Sequence, residues 1–243
     1  MRALSAAELL DLWERGLRQP PARRAVALLE AACPDLSAGE AAALPLGRRD
    51  ARLLDLRELL LGPDLTIVAS CPNCGEQLDS TFQGAQLRMD AGAAEPAQTV
   101  EADAYRIAFR LPASDDLLAL SRAPDRAAAR RLLLDRCILN AEHDGARAAV
   151  ASLPEHIVAA VAARMAAADP QADVELALSC PACAHAWHAA FDVAGFFWQE
   201  IHAWAKATLR SVHALARAYG WREADVLALS PTRRQIYLEL ARQ

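Results

Sequence analysis

At 243 residues the chain is long enough to bury a sizeable core, and its net charge of −5 with a pI near 5.7 gives no overall electrostatic footprint for nucleic acid. Hydrophobic residues make up 54%, largely alanine and leucine, and aromatics only 5%, a composition that favours helices. No apolar run reaches the roughly 18 to 20 residues needed to span a bilayer.

The N-terminal stretch MRALSAAELLDLWERGL carries Asp11 and Glu14 within its apolar run, so it reads as an amphipathic helix over about 6 to 18 and not as a secretion signal. A cytosolic protein is expected. Ser5 is its N-cap, with Leu9, Leu10, Trp13 and Leu17 on one face. Pro20 and Pro21 stop that helix and start a second, ARRAVALLEAAC, whose Cys33 reads as a small buried residue. Ser37 caps a short turn to about Leu44, Pro45 and Gly47 break the chain, and RRDARLLDLRELLL forms a strong helix with Leu53, Leu56 and Leu60 inward and Gly62 at its C-cap.

The next stretch, DLTIVASCPNCGEQLDSTFQ, is repeated downstream as DVELALSCPACAHAWHAAFD. Without gaps the two match at Asp64 and Asp173, Ser70 and Ser179, Cys71 and Cys180, Pro72 and Pro181, Cys74 and Cys183, and Phe82 and Phe191. Each is a short strand, a C-P-x-C turn and a second short strand, the sequence of a zinc knuckle, which supplies two of the four ligands that a tetrahedral structural zinc requires. Cys71, Cys74, Cys180 and Cys183 are therefore expected to hold one structural zinc per chain. A thioredoxin-type pair would open a helix, which neither copy does, and structural disulfides need an oxidising compartment. His185 and His188 follow the second pair, but four thiolates already complete the shell.

Between the knuckles, residues 90–99 read as a surface loop and VEADAYRIAFRLP as one half-buried strand. Ser114, Asp115 and Asp116 cap a short helix to about Leu120. Asp125 begins a longer helix through DRAAARRLLLDRCILNA, with Cys137 on its apolar face. A polar EHDGAR loop leads to a helix over about 154–168 with Ser152 as N-cap and Pro154 in the first turn.

After the second knuckle the longest helix runs from about Gly195 to Tyr219 and ends at Gly220. Phe197, Ile201, Trp204, Thr208, Val212, Leu215 and Tyr219 form its inward stripe. Phe196 and Trp198 lie off that stripe, as a partner surface or as residues covered by the N-terminal helices. His202 and His213 share a face and read as packing or interface residues. Two short helices, within WREADVLALS and PTRRQIYLELARQ, close the chain.

The expected fold class is thus α+β and mainly α-helical: a split four-cysteine zinc ribbon with a helical insert, and a long C-terminal helix followed by two short ones. Residues 1–62 form an N-terminal helical region, 63–83 with 172–193 the ribbon, 84–171 the strand and helical insert, and 194–243 the C-terminal helical region. No glycine-rich phosphate loop, H-E-x-x-H or G-x-S-x-G is present, Asp115 and Asp116 read as capping residues, and a four-thiolate zinc has no open position. No enzyme is expected.

Two non-enzymatic readings compete. Arg217, Arg222, Arg233 and Arg234 in the helix, G-W turn, helix, S-P turn, helix arrangement outline a helix-turn-helix and hence a nucleic-acid-binding regulator. Glu223, Asp225 and Glu239 are interleaved there, however, and Ile236, Leu238 and Leu240 are expected to be spent on packing.

In the other reading, LGRRDARLLDLRELLLG before CPNCG, YRIAFRLPASDDLLAL with ARRLLLDRCILNAEHDG, the second SCPAC followed by W and F, and the terminal VHALARAYGWREADVLALSPTRRQIYLEL carry a family resemblance. Over residues 44–242 the chain resembles the baseplate and baseplate-hub proteins of contractile phage tails and tail-like injection particles, including hub assembly chaperones of the T-even phage type. The resemblance implies a structural or assembly protein with a structural zinc. Its partners would be baseplate, hub or tail-tube proteins, without small-molecule substrate or membrane. Its place would be the bacterial cytoplasm during assembly or the finished tail.

Overall fold

The computed structural model describes residues 1–89 and 97–241. In chain order these form α1 (Ala6–Gly16), α2 (Pro21–Ala32), α3 (Ala38–Ala43), α4 (Leu46–Leu61), β1 (Asp64–Ser70), β2 (Gln77–Gln83), β3 (Gln98–Ala102), β4 (Tyr105–Phe109), α5 (Ser114–Leu120) and α6 (Arg126–Cys137). There follow β5 (Ile138–His143), β6 (Ala146–Arg147), α7 (Glu155–Ala168), β7 (Glu175–Ser179), β8 (Ala186–Ala190), α8 (Val193–Tyr219), α9 (Glu223–Leu227) and α10 (Pro231–Leu240). Strands β1 and β2 form one antiparallel hairpin, β7 and β8 another, and β3 to β6 a four-stranded antiparallel meander.

The first helices begin where their caps place them. Ser5 Oγ accepts the Glu8 N–H at 3.3 Å while Glu8 Oε2 accepts the Ser5 N–H at 2.8 Å, and Ser37 with Glu40 repeats this reciprocal arrangement. Helix α4 follows Pro45, which offers no side-chain cap. Its N-terminal donors are met from the insert: Asp169 Oδ2 accepts the Gly47 N–H at 2.8 Å, and the Pro112 carbonyl accepts the Leu46 N–H at 3.0 Å. A side chain at Gly47 would sit 2.0 Å from Asp169 Oδ1, so the carboxylate reaches the helix end only because that residue is glycine.

Besides a small cluster of Cys71, Leu78 and Cys180 at the hairpin tips, three apolar clusters result among the described residues. In the largest, Leu9, Val26, Leu29, Leu53, Phe197 and Ile201 bring α1, α2 and α4 onto α8, and the hairpin residues Leu65, Leu176 and Leu178 join it. The second lies in the insert, where Ile107, Phe109, Ile138, Ile157 and Val161 pack the meander on α7. The third caps the far end of α8, with Val212, Leu215 and Val226 under Trp221 and Tyr237. Arg57 fastens the first cluster: its guanidinium bridges Glu200 of α8 at 3.0 and 2.7 Å and donates to the carbonyls of Gly62 and Asp64 at 2.5 and 2.6 Å. Each nitrogen of the buried fork thereby has a partner.

Several expectations are corrected. The single strand expected from Val100 is a hairpin, because Asp103 and Ala104 adopt positive φ (47° and 64°) and turn the chain back on itself. Residues 98 and 99 of the expected loop belong to β3, and residues 90–96 of it lie outside the described residues. Helix α6 stops at Cys137; residues 138–141, read as its continuation, and Glu142 and His143, read as loop, form strand β5, which turns through Asp144 and Gly145 at positive φ. Ser152 lies in a 3₁₀ turn with its hydroxyl on the Ala149 carbonyl, and Pro154 occupies the N-cap position of α7. Leu17 is 45% exposed, beyond the end of α1.

Trp198 is covered, at 8% exposure. Its ring fills the space over Gly16, where an added Cβ would meet the indole at 2.2 Å, and Arg24 lies 4.8 Å above it. Trp198→Ala should therefore cost about 3 to 5 kcal/mol and lower the melting temperature by roughly 10 °C, read by circular dichroism.

Asp116 is fully buried, bonded to Arg110 at 2.6 and 2.8 Å, Arg136 at 2.7 Å and the Ala113 N–H at 2.9 Å. Burial opposes its ionisation, but Arg110, the Ala113 N–H and Arg136 together outweigh burial and hold the carboxyl down to about 2. The folded carboxyl is more acidic than the unfolded one, so this stabilisation is present above about pH 4 and fades as pH falls toward 2. In urea titrations Asp116→Asn should be most destabilising at neutral pH, by about 2 kcal/mol or more, with the difference from wild type shrinking below pH 4.

Candidate metal centre

The two C-P-x-C turns repeat one another bond for bond. In the first, the Cys71 N–H donates to the Glu76 carbonyl at 2.8 Å and the Gly75 N–H to the Cys71 carbonyl at 2.9 Å. In the second, the Cys180 N–H donates to His185 at 2.8 Å and the Ala184 N–H to Cys180 at 2.9 Å. Gly75 and Ala184 occupy the same place and both have positive φ, 77° and 56°. This turn brings the next N–H to the second sulfur's side, where the Glu76 backbone favours the Cys74 thiolate and the His185 backbone the Cys183 thiolate.

The hairpins bring the turns face to face. Cys71 Sγ lies 3.7 Å from Cys183 Sγ and Cys74 Sγ 3.6 Å from Cys180 Sγ, and all four sulfurs fall within 4.8 Å of one another. Four thiolates around an ion at about 2.3 Å have tetrahedral edges of about 3.8 Å; the two cross-hairpin distances match that edge, and the remaining ones lie within 4.8 Å. Cys71 and Cys180 are buried beside Leu78 and Trp187, while Cys74 and Cys183 face outward. Among the described residues this is the one group of three or more His, Cys, Asp or Glu side chains placed to hold an ion.

The cluster's electrostatics favour a cation. Asn73 donates from Nδ2 to Cys183 Sγ at 3.5 Å; that bond and the His185 N–H bring the Cys183 thiol down to about 6. Cys74 is drawn down by the Glu76 N–H, but the sulfurs of Cys183, Cys180 and Cys71, aided by burial, prevail and push it up to about 12. Four sulfurs this close do not ionise together without a positive charge among them, and uptake of an ion there would release protons.

Other candidates lie elsewhere. His188 pairs with Glu175 across the β7/β8 hairpin at 3.3 Å, and His185 stacks beside Trp187 at 6.0 Å. His202 Nδ1 accepts the Trp13 indole N–H at 3.0 Å, whereas His213 is exposed. Cys33 and Cys137 are buried away from the cluster. Asp115 is exposed, and Asp116 combines the expected capping with an ion-paired role that sequence did not reveal. Asn73 was also missed; the signal was present in CPNC against CPAC, where one knuckle alone carries a side-chain donor.

The arrangement defines a mixed helix and sheet protein in which two distant segments assemble a four-cysteine site. The chain belongs to the family described as T4 bacteriophage base plate protein, whose family model matches residues 22–198. The match includes both knuckles and the whole insert. It begins earlier and ends earlier than the motif span of 44–242, leaving out α1, most of α8 and the two terminal helices. No curated protein and no solved structure matches the chain.

Metal analysis of the freshly purified protein should find one ion per chain, lost in Cys71→Ser and Cys180→Ser and retained in Cys33→Ala. The two hairpins share no strand pairing, yet both are rooted in the largest core. Chelation should therefore speed amide exchange in β1, β2, β7 and β8 while leaving most of the helical circular-dichroism signal intact.

Proposed function

We propose that this chain is a non-enzymatic structural or assembly protein of the baseplate or hub of a contractile phage tail or tail-like injection particle. It acts through contacts with baseplate, hub or tail-tube proteins, as a resident subunit or as a chaperone. The observation that carries this reading is the family match over residues 22–198, which contains both cysteine pairs. In this reading Cys71, Cys74, Cys180 and Cys183 are the ligands of one structural zinc, and the two hairpins are halves of a split zinc ribbon. Four sulfur donors within 4.8 Å of one another favour zinc, and a complete thiolate shell leaves no position for a reacting water. Among the described residues no helix is long and apolar enough to cross a membrane, in keeping with assembly in the bacterial cytoplasm.

For the helix-turn-helix alternative one objection falls away, since Ile236 and Leu240, expected to pack, are each 51% exposed. The other stands: Glu223, Asp225 and Glu239 are interleaved with the arginines. Co-expression with the tube, hub and baseplate proteins of a contractile tail should give stable co-purification through at least one of them. A gel-shift titration with random duplex DNA at physiological salt should show no retardation. Retardation without co-purification would favour the regulator instead.

A further inference from the structure

Charge is divided sharply along this chain. The hairpin segments, 63–83 and 172–193, contain six carboxylates, Asp64, Glu76, Asp79, Asp173, Glu175 and Asp192, and no Lys or Arg. Residues 201–222, from the second turn of α8 to just past its end, contain four Lys or Arg and no Asp or Glu.

Three of these cations, with one histidine, are also aligned. Lys206, Arg210, His213 and Arg217 recur at i, i+4, i+7 and i+11, which places them within about 60° of one another on the helix and spreads them over about 17 Å. All four are exposed, on the side opposite Thr208, Val212 and Leu215. None of them makes an ion pair among the described residues. An ordinary solvated helix face mixes signs at this spacing, because like charges four residues apart cost a few tenths of a kcal/mol. Leu209, 38% exposed, borders the stripe and adds an apolar edge.

Among the described residues no ion pair joins the hairpins of the same chain to this stripe. Lys206 lies about 20 Å along the helix from Val193, where the second hairpin ends. The carboxylates of Glu76 and Asp79 are exposed and also have no cationic partner among the described residues. We propose that the occupant of the α8 stripe is the acidic hairpin pair of a second copy of this chain. The stripe and the hairpins are different surfaces, so each copy offers both halves of the contact, which either closes reciprocally in a two-fold dimer or runs head to tail. Such a contact is steered by charge and weakened by salt.

The test uses the metal-loaded full chain alone. Sedimentation velocity should show concentration-dependent self-association at about 0.05 M salt that weakens at least tenfold by about 0.5 M. Lys206→Glu with Arg210→Glu should abolish it, as should Asp79→Lys with Asp173→Lys, two exposed hairpin carboxylates outside the cysteine turns, each variant keeping the wild-type melting temperature and metal content. An equimolar mixture of the two reversed variants should associate again, and that recovery excludes misfolding as the cause of either loss. The proposal is overturned if the wild type stays monomeric at low salt, if the α8 reversal leaves association unchanged, or if the mixture fails to recover. It is equally overturned if the stripe retards random duplex DNA while the chain does not self-associate.

Discussion

Two sulfurs from one end of an 88-residue excursion must meet two from the other, and much of the architecture serves that closure. Cys74 and Cys180 are 106 residues apart in the chain and 3.6 Å apart in space. Closing a flexible loop of that length costs about 4 kcal/mol in chain entropy, before the meeting point contributes anything. The insert closes itself instead. Gln171, fully buried, accepts the Met89 N–H at 2.7 Å and donates to the Leu87 carbonyl at 3.1 Å, so it joins the outgoing chain to the returning one. Two residues earlier Asp169 caps α4. The second hairpin therefore starts from a fixed point, and its leucines drop into the same core as those of the first.

This order of construction gives the cysteine site a defined role. The halves of the protein are held together by α1, α2 and α4 on α8, by Arg57 between α4 and Glu200, and by Trp13 on His202, none of which requires an ion. The sulfurs sit at the far ends of two hairpins that make no backbone hydrogen bonds to each other. A metal there would act as a clasp on outlying strands and not as the centre around which the helices assemble. The zinc reading and the family membership fit together at this level, since the matched region runs from α2 through the second hairpin and into the first turns of α8.

Much of this was legible in the residues because the signals were local. The paired cysteines, the matched strands around them, and the Ser5, Ser37, Asp125 and Ser230 caps each depend on a few neighbours. What was left open, missed or misread depended on a distant partner. Trp198 is buried because Gly16, far away in sequence, leaves room for an indole. Asp116 is buried because Arg110 and Arg136 arrive from a strand and another helix. The change from helix to strand at Cys137 followed an alanine- and leucine-rich run that favours helix, and tertiary pairing with β4 overrode it. One local clue was present there: Asp144-Gly145 is a favoured hairpin turn, and its flanks form β5 and β6. Asp103-Ala104 offered no such clue, since alanine seldom adopts positive φ.

A second such alanine bears on the site itself. Gly75 enters the left-handed region without penalty, but Ala184 at the equivalent position pays about 1 to 2 kcal/mol for the same turn. The local preference of the second knuckle would not produce this geometry. What the turn achieves is a sulfur-facing His185 N–H that matches the Glu76 N–H of the first knuckle, so both outer sulfurs have a donor. Backbone strain is maintained only where the surroundings over-determine it, and here the surroundings are three other sulfurs and the hairpin register. The outlier thus points to the sulfur cluster as the feature that shapes the second knuckle, and it does so independently of the cysteine spacing from which the site was first inferred.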